Sequence, residues 1–185
     1  MANLEIFKIA RQLGANRMGT TLTAALIAGE QLFLAHIGDS RAYLLRNGNL
    51  TCLTNDHTLV GDLVRSRVIP PEAVRTHDKR SILTRSVGLE LFVNPDITSH
   101  KLSAGDRLIL CSDGLWAAVE DAEIARLAEN VKAPEMLGAA LIQSALENQS
   151  DDNCSVVVAD ILAFLPLAVP AQPARRKWFG LFESR

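Results

Sequence analysis

The sequence has few cysteines and no CxxC pair: Cys52, Cys111 and Cys154 stand far apart among 185 residues. Two of them fall inside the apolar runs LILC and CSVVV, where a cysteine acts as a small buried hydrophobe. A disulfide framework is therefore not expected, and the chain is placed in a reducing compartment. No N-terminal stretch joins a basic start to a long apolar run and a cleavage site. Nor does any run approach the ~20 uninterrupted apolar residues of a membrane span, so the expected address is the cytoplasm. Positive charge is not in excess either. A formal net charge of −2 argues against binding nucleic acid through bulk electrostatics. There is no internal repeat, and His36, His57, His77 and His100 show no metal-ligand spacing.

What is present is the composition of an ordinary soluble domain, 48% hydrophobic and 22% charged, with room for one domain. Apolar residues at Ile6, Ile9, Ala10 and Leu13 predict a helix over 3–15, ended by Gly14. From 20 to 54 the period changes. TLTAALIAG, LFLAHIG, RAYLLR and LTCLT are short β-rich runs, and Asn47-Gly48 is a strong hairpin signal. Residues 56–83 read as helix and loop, with Pro70-Pro71 opening a short helix at PPEAVRTH. Strands return at ITSHKL and RLILCS, helices follow over 121–130 and 134–148, and CSVVVADIL is a last strand. This order suggests a layered α+β domain on antiparallel sheet. Beyond residue 162, Pro166, Pro170 and Pro173 mark a linker, and RRKWF with Leu181-Phe182 makes a basic, aromatic end. That end reads either as a short docking motif or as a tail with chance aromatics.

Three aspartates share a strand-end context. Asp39 lies in Gly38-Asp39-Ser40, Asp113 follows RLILC in Ser112-Asp113-Gly114, and Asp152 precedes CSVVVAD in Asp151-Asp152-Asn153. If the strands at Cys111 and Cys154 are antiparallel neighbours, Asp113 and Asp152 meet at one sheet edge. Carboxylates that close repel unless a proton or cation lies between them. All-oxygen ligation would suit Mg2+ or Mn2+. Taken singly, each aspartate is better explained by turn chemistry than by metal binding.

The runs MGTTL (18–22), AHIGDSRAYLLRNGNL (35–50), LTNDHTLV (53–60), ILTRSVG (82–88), GDRLILCSDGLW (105–116) and SDDNCSVVVADI (150–161) follow one another in a telling order and spacing. They resemble the metal-dependent (type 2C) protein serine/threonine phosphatases, bacterial members in particular, over about residues 16–162. The resemblance implies a four-layer α-β-β-α sandwich of two antiparallel sheets flanked by helices. It implies hydrolysis of phosphoserine and phosphothreonine by a water activated by Mn2+ or Mg2+. Asp113 and Asp152 correspond to two ligands of one ion in a dinuclear centre, and Asp39 to a ligand of a weaker third ion. The stretch from Leu59 to Leu83 corresponds to the flap beside the site, entered at Asp56-His57. Gly19, Thr20 and Thr21 match a structural motif. No nucleophilic side chain is implied, and Cys111 lacks the Cys-x5-Arg loop of cysteine phosphatases.

Family members also begin with a phosphate-holding arginine, an acidic neighbour and a DGxxG motif whose aspartate bridges two ions. None of these stands before Gly19, which 18 residues precede, and Asp113-Gly114 is followed by Leu115-Trp116-Ala117. The resemblance thus implies an N-terminally incomplete domain over 1–162, impaired as an enzyme, followed by the tail over 163–185. It also implies a sheet edge and apolar surface open to a partner fragment or a second copy. A late gene start, a fragment completed by another chain, and a relative that binds without catalysing are the three accounts. A non-catalytic binding or regulatory module is the alternative function. The partners implied are phosphorylated proteins, substrates of a Ser/Thr kinase. Arg41 is read as a structural ion-pair former, with a phosphate-facing role as the other option. The RSR (65–67) and HDKR (77–80) clusters offer charge that could attract phosphopeptides but read rather as a solvated basic face, and Leu115 and Trp116 as core.

Overall fold

The structure is a computed structural model that describes residues 1–15 and 18–164. Apart from Ala163 and Phe164, the tail expected over 163–185 lies outside the described residues.

Local chemistry makes two hairpins at the start of the sheets. Strand β1 (Leu22–Ala28) pairs antiparallel with β2 (Gln31–Ile37), and β3 (Arg41–Arg46) with β4 (Asn49–Cys52). Asn47 and Gly48 turn the second hairpin with φ of 50° and 79°, the pair of positive φ values that a type I′ turn demands. Further along come β5 (Asp96–Lys101), β6 (Arg107–Cys111) and β7 (Val156–Asp160). The strands assemble into two antiparallel sheets, in the orders β1-β2-β5 and β4-β3-β6-β7.

The sheets meet face to face. Leu32 and Leu34 of the first sheet pack against Ala42, Leu44 and Leu108 of the second, closed at one end by Leu102 and Ile161. On the other face of the second sheet, Tyr43, Leu45, Ile109 and Cys111 pack on α4 (Asp121–Asn130) and α5 (Pro134–Glu147) through Ile124, Ala128, Leu137, Leu141 and Ala145. Strand β3 is thus buried on both faces, which is why RAYLLR reads as a continuous apolar run. This is the α+β antiparallel sandwich that the sequence suggests. Among the described residues no helix covers the outer face of the first sheet, where Leu22, Leu26, Phe33 and Ile97 are exposed.

Four further elements complete the described chain. Helix α1 (Ala2–Gln12) is tied by Asn3, which donates to the Glu90 and Leu91 carbonyls and accepts from the Gly88 amide. Helix α2 (Leu59–Arg65) starts at Thr58, whose hydroxyl accepts from the Gly61 amide at 2.9 Å. The helix expected at PPEAVRTH is only a 3-10 turn, Pro71–Val74, and Asp113-Gly114, for which a turn is the plain local reading, opens a single helical turn, α3 (Asp113–Trp116).

Candidate functional site

The sheet topology carries the three aspartates to one place. Asp39 sits between β2 and β3, Asp113 opens α3 straight after β6, and Asp152 lies just before β7. Strand β6 pairs with both β3 and β7, placing Arg41 opposite Cys111 and Cys111 opposite Val156. The end of β6 and the starts of β3 and β7 therefore emerge together. A cavity of about 320 Å3 opens there, lined by Asp39, Asp113, Asp151 and Asp152, by Trp116, and by Arg75, Arg80 and Ser81 of the flap stretch.

The Asp113 carboxylate accepts from the Gly114 amide at 3.0 Å and that of Asp152 from the Asn153 amide at 2.6 Å. The Ser112 amide donates to the Ser155 carbonyl and the Ser155 amide to the Ser112 hydroxyl, both at 3.0 Å, which ties the Asp113 turn to the Asp152 loop. The Ser150 hydroxyl donates to the Gly114 carbonyl at 2.7 Å. Asp39 is anchored from below, where the Trp116 indole N–H donates to its carbonyl at 2.8 Å. The Arg41 guanidinium stacks on that indole, 3.7 Å from the ring centre. It also grips Asp56 with two hydrogen bonds, at 2.8 and 3.0 Å, and donates to the Tyr43 hydroxyl. Tyr43 in turn donates to Asp121 at 3.1 Å. Behind the turn, the Gly38 amide donates to His57 Nδ1 at 3.1 Å, so the neutral ring carries its proton on Nε2. That Nε2 lies 3.1 Å from Asp96 Oδ2, off the line of a hydrogen bond.

Burial and mutual repulsion disfavour the charged forms of two of these carboxyls. Burial, then the Asp113 and Asp56 carboxylates, push Asp39 up to about 6 against the pull of Arg41. Burial, then Asp152, raises Asp113 in the same way. Carboxyl groups so raised are ones that a cation would stabilise, and their donors are all oxygen. Still, among the described residues no three His, Cys, Asp or Glu side chains come close enough together to hold a metal ion.

Asp39, Asp113 and Asp152 are thus brought to one cavity, while Arg41, Asp56 and His57 are not. Asp56 and His57 are buried behind it and Arg41 is half-buried, and Arg41 and Asp56 line a separate cavity of about 390 Å3 beside α2. Of the stretch Leu59 to Leu83, it is Arg75, Arg80 and Ser81 that line the same cavity as the aspartates. Trp116, read as core, is buried and also fixes Asp39; its position three residues after Asp113, on one helical turn, was the available signal. No helix among the described residues is long and apolar enough to cross a membrane.

The family model described as protein phosphatase 2C matches residues 3–154. The serine/threonine protein phosphatase PstP of Mycobacterium tuberculosis is 47% identical over 150 residues, 80% of this chain and 28% of that protein. The serine/threonine phosphatase stp of Listeria innocua is 36% identical over 159 residues, 85% of this chain and 63% of that protein. The chain therefore spans less than two thirds of the length of these relatives. Among solved structures, the M. tuberculosis phosphatase PstP/Ppp superposes with a TM-score of 0.80 at 42% identity, covering 86% of this chain and 68% of that one. The PstP catalytic domain in complex with 2 manganese ions does so with a TM-score of 0.78 at 40% identity, covering 86% and 66%.

Proposed function

The chain belongs to the protein phosphatase 2C family, and from that premise we propose that it is the aspartate-bearing part of a phosphatase acting on phosphoserine and phosphothreonine in proteins. The observation that carries this reading is the convergence of Asp39, Asp113 and Asp152 on one cavity, with Asp39 and Asp113 both raised by burial and by a neighbouring carboxylate. Asp113 and Asp152 would hold Mn2+ or Mg2+, with Asp39 for a weaker third ion; the PstP catalytic domain was solved in complex with two manganese ions. Bound there, such ions supply a water of lowered pKa and neutralise phosphoryl charge. The chain's own contribution is to gather the carboxylates at one sheet end, keep Asp39 out of bulk water, and hold its turn through Trp116 and His57.

Two or three aspartates leave an octahedral shell short of ligands, so the expected binding is weak and turnover by the chain alone is low. Residues 1–162 act in this reading as one phosphatase-like domain, with 163–185 as linker and tail. The lack of a three-ligand group among the described residues also favours a second reading, a phosphatase-like module that binds without catalysing. Calorimetry with Mn2+ on the chain, on Asp113→Asn and on Asp152→Ala tests the site: weak binding should be lost in both variants. Equal binding by all three proteins would sink the assignment. Turnover of a phosphothreonine peptide in the same samples decides between enzyme and module.

A further inference from the structure

We infer that Arg80 is the side chain with which this cavity grips the phosphate group of a phosphorylated ligand, an inference that rests on the phosphatase reading above. Two guanidinium groups line the cavity, and they differ in what they already do. Arg75 is engaged: it donates to Asp121 at 2.8 Å and to the Val119 carbonyl at 3.1 Å, and pairs with Glu120 at 3.3 Å. The Arg80 side chain is exposed and makes no ion pair or hydrogen bond with another described residue. Its charge is available to a ligand.

The backbone beneath Arg80 is fastened to the aspartate turn by short steps. The Arg80 amide donates to the His77 carbonyl at 3.0 Å, and the Ile82 amide to the Lys79 carbonyl at 3.2 Å. Leu59 donates to the Ile82 carbonyl at 2.9 Å and Thr84 to the His57 carbonyl at 2.8 Å, while the His57 amide donates to the Gly38 carbonyl at 2.7 Å. Gly38 immediately precedes Asp39. The arginine is thus a long, free cation on a turn held beside the carboxylates.

The chemistry follows from charge. A phosphate dianion entering among Asp39, Asp113 and Asp152 is repelled unless cations face it. Ions held by those carboxylates would neutralise its inner side, and its outer oxygens would still need donors. A guanidinium offers two parallel N–H groups in the geometry of two phosphate oxygens, and a charge-assisted pair of that kind is about twice as strong as a neutral one. Arg80 is placed to supply it. The ligand class is the phosphate group, whether on a threonine side chain or free in solution.

The test titrates the chain, Arg80→Ala, Arg80→Lys and Lys79→Ala with inorganic phosphate and with a phosphothreonine peptide, in the presence of Mn2+. Arg80→Ala should weaken both ligands about tenfold or more. Arg80→Lys should keep part of the affinity, and Lys79→Ala, which removes the neighbouring exposed charge, should stay within about twofold. Absence of phosphate binding by the unaltered chain, equal losses in Arg80→Ala and Lys79→Ala, or a loss confined to the peptide would each overturn the assignment. Mn2+ calorimetry on the same samples keeps the two readings apart. Mn2+ binding insensitive to Asp152→Ala counts against the phosphatase reading of the aspartates. Intact Mn2+ binding with phosphate affinity unmoved by Arg80→Ala counts against this inference alone.

Discussion

A Cβ on Gly114 would stand 2.5 Å from the carbonyl oxygen of Asn153, closer than any real Cβ contact. Glycine after Asp113 is therefore what lets the Asp152-Asn153 loop close down on α3, and it sets how near the two aspartates come. Gly114→Ala should push that loop outward, destabilise the domain by about 1–3 kcal/mol, and weaken Mn2+ binding. Gly138→Ala is the control. Gly138 lies inside α5 with nothing within 4 Å of its missing Cβ, so alanine there should stabilise by about 0.5–1 kcal/mol and leave Mn2+ binding alone. Denaturant titration and calorimetry on both variants decide it. Identical behaviour would mean that the close approach does not organise the site.

Arg107 joins the second sheet to the helical layer. From β6 it donates to the carbonyls of Ala128 at 2.7 Å, Val131 at 2.6 Å and Lys132 at 2.5 Å, satisfying the free end of α4, and it pairs with Asp160 at 2.5 and 2.8 Å. The guanidinium holds the Asp160 carboxyl below the usual carboxylate range. Arg107→Met strands the carbonyls and an unpaired carboxylate, and should cost roughly 3–5 kcal/mol, a large part of a typical domain's stability. Arg107→Lys should recover a fraction. A loss in Arg107→Met of under about 1 kcal/mol by denaturant unfolding would contradict this.

Stability should fall as the solution is acidified from neutral. The His36 and His57 rings lie 4.8 Å apart and are buried, and burial is the first cause that lowers both below 6.5. The folded chain then binds fewer protons than the unfolded chain just below pH 6.5, so stability is fully present above that pH and is lost as pH falls through it. Asp39 acts with the opposite sign lower down. Its carboxyl, raised to about 6, favours the folded state in acid and loses that effect as pH climbs from about 4 to 6. Between pH 7.5 and 6.0 the histidines should therefore dominate and lower Tm by about 2–5 °C. A flat or rising Tm over that window would refute the assignment of neutral buried rings.

The free side of the first sheet should drive association. Strand β1, LTAALIA, has neither charge nor proline to protect its edge, and its outer face continues into β2 and β5. Leu22, Leu26, Phe33 and Ile97 are 50%, 65%, 41% and 65% exposed. Light scattering after size-exclusion chromatography should show mass rising with concentration. Leu26→Lys, a charge on this face, should reduce that rise without lowering Tm. A monomer at every concentration, melting sharply, would show the face to be inert.

Much of this architecture can be read one residue at a time. The Asn47-Gly48 turn, the helix opened by Pro134, the alternation in LFLAHI and the apolar run of RAYLLR each report a local backbone preference or a buried face, and those are encoded within a few neighbouring residues. The three aspartates could likewise be seen at strand ends, and the resemblance to type 2C phosphatases grouped them. Pattern alone could not, because turn chemistry accounts for each separately. Which strands become neighbours was settled by packing across long stretches of chain: β3 meets β6 some sixty residues on, with Arg41 opposite Cys111, and that pairing brings Asp39 beside Asp113. The stacking of Arg41 on Trp116, the withdrawal of Asp56 and His57 behind the cavity, and the arrival of Arg80 at its wall belong to the same class. No local period records them, since each depends on where a distant backbone passes, and only the assembled sheets and the turns hung from them decide that.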